Sequence, residues 1–102
     1  MSIKFINYYE KMQYVNKETQ QITEALANVI KELRNERTGL SASNFAESYG
    51  FDKSKILRVE RGEVNCKLIT AWAIANALGM KCSELIAIVE ELLGEDFSLI
   101  EE

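Results

Sequence analysis

Histidine is absent from this 102-residue chain, and so is proline. Without histidine the commonest general base near neutral pH is missing. No glycine-rich phosphate loop and no G-x-S-x-G stretch stands in its place. Carboxylates abound, but at helical spacing they read as solvated faces rather than an acid pair. The chain is therefore expected not to be an enzyme, with no cofactor and no small-molecule substrate. Cysteine is scarce: Cys66 and Cys82 are the two thiols. Two isolated thiols without histidine cannot supply four protein ligands to zinc, so no metal site is expected. Both read as small packing residues. Long apolar runs are missing as well. The longest uncharged one, Leu68 to Met80, is too short to span a bilayer. The N-terminus has no apolar signal core or cleavage site. These absences lead to the expectation of a cytoplasmic protein with no membrane contact.

What is present is a globular balance, 47% hydrophobic and 27% charged, enough for one compact domain. Its net charge of -4 is unevenly spread. Residues 63–102 carry eight acidic and two basic side chains, while residues 22–62 carry seven basic and six acidic ones. Overall acidity does not exclude a nucleic-acid partner, which needs basic groups only where phosphates come.

The periodicity is helical almost throughout, and no stretch alternates for long as a strand would. Ile22, Ala25, Leu26, Val29, Ile30 and Leu33 share one helix face, and Thr38-Gly39 ends that helix. Ser41 is placed to cap a helix over Ala42–Tyr49, closed by Gly50. Asp52 is placed to cap the next, from Lys53 to Glu60 or Arg61, stopped by Gly62. Asn65 reads as the cap of Cys66–Leu78, and Ser83 as the cap of Glu84–Leu93. Three segments follow: an N-terminal extension over 1–21, a helical domain over 22–94 and an acidic tail over 95–102. The extension, rich in aromatics, offers a stripe of Ile3, Phe5, Ile6, Tyr9 and Met12. It reads as an extra helix packed on the domain, a dimer contact or a loose tail. Trp72, with Leu68, Ile69, Ala75 and Leu78 in one apolar helix, is expected in the core, with a subunit contact as the alternative. Leu85, Ile88, Val89, Leu92 and Leu93 read as core plus interface.

The spacing inside FAESYGFDKSKILRV is that of a helix-turn-helix. Ala46 is small enough for two helices to cross closely, Gly50 permits the turn, and Ile56 and Val59 hold the second helix on the core. The ordered set LRNERTGLS, FAESYG, ILRVERG and IANALGMKCSELI resembles the phage-repressor and Cro-like helix-turn-helix family, often called XRE, over roughly residues 22–93. The resemblance implies an all-α fold, a five-helix lambda-repressor-like domain with an extra N-terminal helical segment, and Lys53–Arg61 as recognition helix. It also implies that Glu60 pairs with an arginine of the first helix, Arg34 in the first place and Arg37 as the alternative. Three features depart from the family pattern. Ala42 stands where a DNA-holding glutamine is common, Cys66 stands where proline is common, and the turn RNERTGLS is one residue longer.

With Ile56 and Val59 inward, a turn of about 100° per residue points Ser54, Arg58 and Arg61 away from the core. Lys53 lies at the exposed N-terminal end, and Leu57 at the edge, where packing is favoured over a thymine methyl. Arg58 is suited to read guanine O6 and N7 with two hydrogen bonds. Lys53 reaches guanine more loosely, and Ser54 bonds to several bases. Lys55, on the other flank, is assigned to a phosphate or to water. By the family's geometry, Ser43, Asn44, Arg61 and Lys67 fit phosphate contacts, which position without specifying sequence. The function expected is a sequence-specific regulator of transcription, a repressor working as a homodimer on double-stranded DNA at a near-palindromic operator. The competing reading is an antitoxin-like or anti-regulator module that binds a protein partner through the acidic C-terminal third.

Overall fold

The computed structural model describes the backbone of residues 2–100 and side chains from residue 17 to residue 100. Five helices follow in order: α1 (Ser2–Thr38), α2 (Ala42–Tyr49), α3 (Lys53–Glu60), α4 (Leu68–Ala77) and α5 (Cys82–Leu93). No strand occurs among the described residues. The expected all-α architecture is present, and the N-terminal segment enters it as the first half of α1. Helix α1 runs through residues 21 and 22 without a break, because no proline or glycine interrupts it before Gly39. The stripe expected over Ile3–Met12 lies outside the described side chains.

The second half of α1 is the spine of the core. Leu26, Val29 and Ile30 are buried there with Phe45 and Ala46 of α2 and Ile56 and Val59 of α3. Ile74, Ala75 and Leu78 of the α4 region and Leu85 and Val89 of α5 complete the cluster. Helix α1 packs chiefly against α5, then α3 and α2. Arg37 ties its end to the end of α4 by donating to the Leu78 carbonyl at 3.2 Å.

Two helix starts differ from expectation. Helix α4 begins at Leu68 rather than Cys66, with Lys67 at its N-cap position and no side-chain cap. Asn65 is drawn elsewhere: its Oδ1 accepts a hydrogen bond from the Thr23 hydroxyl at 3.2 Å. Tertiary contact thus outcompetes local capping. Helix α5 begins at Cys82, one residue ahead of Ser83, and the Lys81 backbone N–H donates to Glu84 Oε1 at 2.8 Å. That carboxylate reaches back from the first turn, where an acidic group also suits the helix dipole.

Trp72 is not in the core. It is 55% exposed, beside Ile69 at 81% and Leu68 at 63%. Helix α4 is apolar nearly all round, so its sequence marks no outer side. Packing selects Ala71, Ile74 and Ala75 for the interior and leaves the opposite side outward. In helix α5, Leu85 and Val89 are buried, while Ile88 and Leu92 face outward.

Candidate nucleic-acid interface

The turn between α2 and α3 is built by local chemistry. Ser41 Oγ accepts from the Asn44 N–H at 3.1 Å and opens α2. Gly50 ends it at φ 74°, a left-handed conformation that a side chain would strain. The Phe51 N–H then donates to the Ala46 carbonyl at 2.8 Å. Asp52 Oδ1 accepts from the Lys55 N–H at 3.2 Å and starts α3. The Phe45 ring lies 5.2 Å from Tyr49 and 5.8 Å from Phe51, so the turn is braced by aromatic contacts as well as hydrogen bonds.

Three residues hold α3 by its inner side: Ile56, Val59 and Glu60 are buried. Glu60 receives Arg34 in a two-point clamp, Nε to Oε2 at 2.7 Å and Nη2 to Oε1 at 2.9 Å. Arg34 Nη1 also donates to Asn35 Oδ1 at 3.2 Å and to the Leu40 carbonyl. No buried side-chain nitrogen or oxygen among the described residues lacks a partner. A charge pair taken out of water is tolerable only when satisfied in this way. Arg34, rather than Arg37, is the first-helix arginine that meets Glu60. Gly62, at φ 69°, brings the chain back against α1, where a Cβ would sit 3.7 Å from Glu24 Cγ and 4.0 Å from Ala27 Cβ.

The clamp leaves the outer side of α3 free. Lys53, Ser54, Lys55, Arg58 and Arg61 are all exposed, and Leu57 is half-buried at the edge. The loop after α3 folds back beside this surface. Between them lies a cleft of about 400 Å³. Ser54, Lys55 and Arg58 form one wall, and Asn65, Cys66, Lys67 and Thr70 the other. Three cations therefore share one opening. Lys55, placed by its helical angle on a flank, lies here with Arg58 and Lys67. Lys53, Ser43, Asn44 and Arg61 lie outside that cleft; Asn44 is exposed and Ser43 half-buried on α2. Asn65 and Thr70 join the site without any sequence signal, because only the fold of the loop sets them opposite α3. The Cys66 thiol is half-buried there, and burial pushes its pKa up, with Lys55 pulling the other way and Cys82 adding to the rise. It stays protonated at neutral pH.

A helix fixed on its inner side, open outward and lined with cations beside a loop that adds Lys67, is the arrangement by which a protein enters a DNA groove. Residues 30–85 match the model of the Helix-turn-helix family. The chain belongs to the XRE-type helix-turn-helix family. It is 34% identical over 64 residues to control protein C.MunI of Mycoplasma sp, a match covering 63% of this chain and 86% of that protein. No solved structure matches. This XRE-type chain is a DNA-binding regulator of transcription, with double-stranded DNA as its partner. The first 29 residues lie ahead of the family match. Among the described residues no single helix is long and apolar enough to cross a membrane, and no cluster of His, Cys, Asp or Glu is suited to hold a metal ion.

Proposed function

We propose that the protein is a sequence-specific repressor that binds a near-palindromic operator as a homodimer and occludes a promoter. The observation that carries this reading is the basic outer side of α3, exposed over Lys53, Ser54 and Arg58 while its inner side is locked by the Arg34–Glu60 clamp. In this reading Arg58 reads guanine through O6 and N7, Lys53 reaches a neighbouring base, and Ser54 accepts or donates to another. Lys55 and Lys67 line the cleft and neutralise one phosphate run, while Ser43, Asn44 and Arg61 hold the backbone at the rims. The name of the relative, a control protein, fits a regulator of gene expression.

The homodimer rests on two supports. An eight-residue helix reads too few bases for genomic specificity. Two copies related by a twofold axis place their recognition helices in successive major grooves about 34 Å apart. The second support is α4. Leu68, Ile69 and Trp72 are exposed, and Leu68 and Trp72 line an apolar groove of about 440 Å³ with Cys82 and Ile86 of α5. A helix apolar on all sides belongs inside a structure, and a second copy covering this side completes that requirement.

The test is a titration against the duplex upstream of the protein's own gene and against a scrambled duplex, at several salt concentrations. The expected result is a clear preference for the native duplex, with affinity falling steeply as salt rises. Equal, weak binding to both duplexes, indifferent to Arg58→Ala, rejects the reading.

A further inference from the structure

The loop over residues 62–67 carries one wall of the cleft beside α3, yet its backbone does little to hold it. The Gly62 and Glu63 N–H groups still donate to α3, to the Val59 carbonyl at 3.1 Å and the Arg58 carbonyl at 3.0 Å. Over residues 64–66 no backbone–backbone hydrogen bond follows among the described residues, and α4 starts at Leu68 without a side-chain cap. Side chains must therefore place this stretch. Val64 and Cys66 are half-buried against the core. Asn65, between them, is exposed and lines the cleft. Among the described residues, the side-chain hydrogen bond from this stretch to another helix is the one between Asn65 and Thr23 of α1.

Thr23 is buried, and a buried hydroxyl needs a partner. It has one in its own helix: Oγ1 donates to the Thr19 carbonyl at 2.9 Å, a common arrangement for a helical threonine. The contact with Asn65 Oδ1 at 3.2 Å is additional, the one proton being shared between two acceptors. Burial of Thr23 does not call for Asn65; it is Asn65 that gains a fixed neighbour. With Oδ1 engaged at Thr23, the Nδ2 group, a donor of two protons, is left for the cleft that Asn65 lines with Lys55, Arg58 and Lys67. N–H donors among cations suit an anion, and on DNA that anion is a phosphate. The same side of α1 meets the loop at a second point, since Glu24 and Ala27 lie against Gly62. These α1 residues stand ahead of residue 30, where the family match begins.

We propose that Thr23 is a positioning residue for DNA binding: through Asn65 it sets the loop wall of the cleft, so that the Asn65 amide and Lys67 meet a phosphate. The inference rests on the reading of the cleft as a phosphate seat. It adds a determinant on α1 that acts on DNA only through another residue.

Titration of the full chain against the native and scrambled duplexes, at several salt concentrations, tests the proposal. Thr23→Val keeps the shape of the side chain and removes the hydroxyl. It is expected to weaken binding to both duplexes alike, about three- to tenfold, and to lower the salt slope toward that of Lys67→Ala. Thr23→Ser, which keeps the hydroxyl, should restore binding to within about twofold of the parent. In a chain already carrying Lys67→Ala, Thr23→Val should cost less than about twofold, because coupled residues do not add. A loss of general stability would instead cost the same in both backgrounds, and circular dichroism checks that each variant is folded during the titration. The proposal is overturned if Thr23→Val binds like the parent, or if its cost is the same with and without Lys67→Ala. The cleft reading fails separately, if Lys67→Ala leaves binding and salt slope unchanged.

Discussion

Helices α3 and α4 are neighbours in the chain, of 8 and 10 residues, yet they relate to their surroundings in opposite ways. Helix α3 alternates apolar and charged residues at helical spacing, so its inner Ile56 and Val59 and its outer Ser54 and Arg58 follow from the sequence, and the family resemblance adds Glu60 to the inner side. Helix α4, LITAWAIANA, is apolar nearly all round, and its sequence does not say which side meets the core. The domain takes Ala71, Ile74 and Ala75 and leaves Ile69 and Trp72 outside. An amphipathic helix announces one partner, water or core, for each side. A helix apolar on every side does not announce which side meets the core, and among the described residues only one side of α4 is buried.

The contrast yields tests of decreasing size. The largest effect is expected at the brace of α3. Arg34→Ala leaves the Glu60 carboxylate buried without its cation, and chemical denaturation should show a loss of about 3–5 kcal/mol. A loss below about 1 kcal/mol would mean that α3 is not held by this clamp. Next come the two sides of α4. Ile74→Ala empties a fully buried position and should lower folding stability by about 2–5 kcal/mol. Trp72→Glu, measured at concentrations where the chain is monomeric, should change it by no more than about 0.5 kcal/mol. Equal destabilisation by the two would erase the distinction between inner and outer sides.

Smaller effects are expected on the outer side of α3 and across the cleft. Arg58→Ala should weaken binding to the preferred duplex by about 1–3 kcal/mol and relax the preference at one base position, as read by competition with single-base variants. Lys67→Ala should weaken binding to all duplexes alike and reduce the salt slope by about 1. If Lys67→Ala instead altered sequence preference, the loop wall of the cleft would be reading bases rather than phosphate.

Much of the candidate site was legible because its signals are local. Ser41 and Asp52 cap within three residues of themselves. Gly50 adopts the left-handed turn that its position between two helices calls for. Lys53, Ser54 and Arg58 point outward because Ile56 and Val59 point inward on the same short helix. Asn65 misled as a cap because a partner 42 residues away, Thr23, holds its side chain. Asn65 and Thr70 escaped notice as cleft residues for a similar reason: no periodicity links them to α3.

The sequence alone determined the helices apart from the starts of α4 and α5, their glycine stops, the turn that joins α2 to α3, and the family pattern, since each depends on residues within a turn or two of one another. The family resemblance named Arg34 first, ahead of Arg37, as partner for Glu60; the geometry supplied the two-point contact. Only the tertiary structure decided that Lys55 and Lys67 face one opening and that Trp72 stands outside. Those outcomes depend on which of several equally apolar or equally polar surfaces a distant segment covers. That choice is made by the packing of the whole chain, and no local spacing records it.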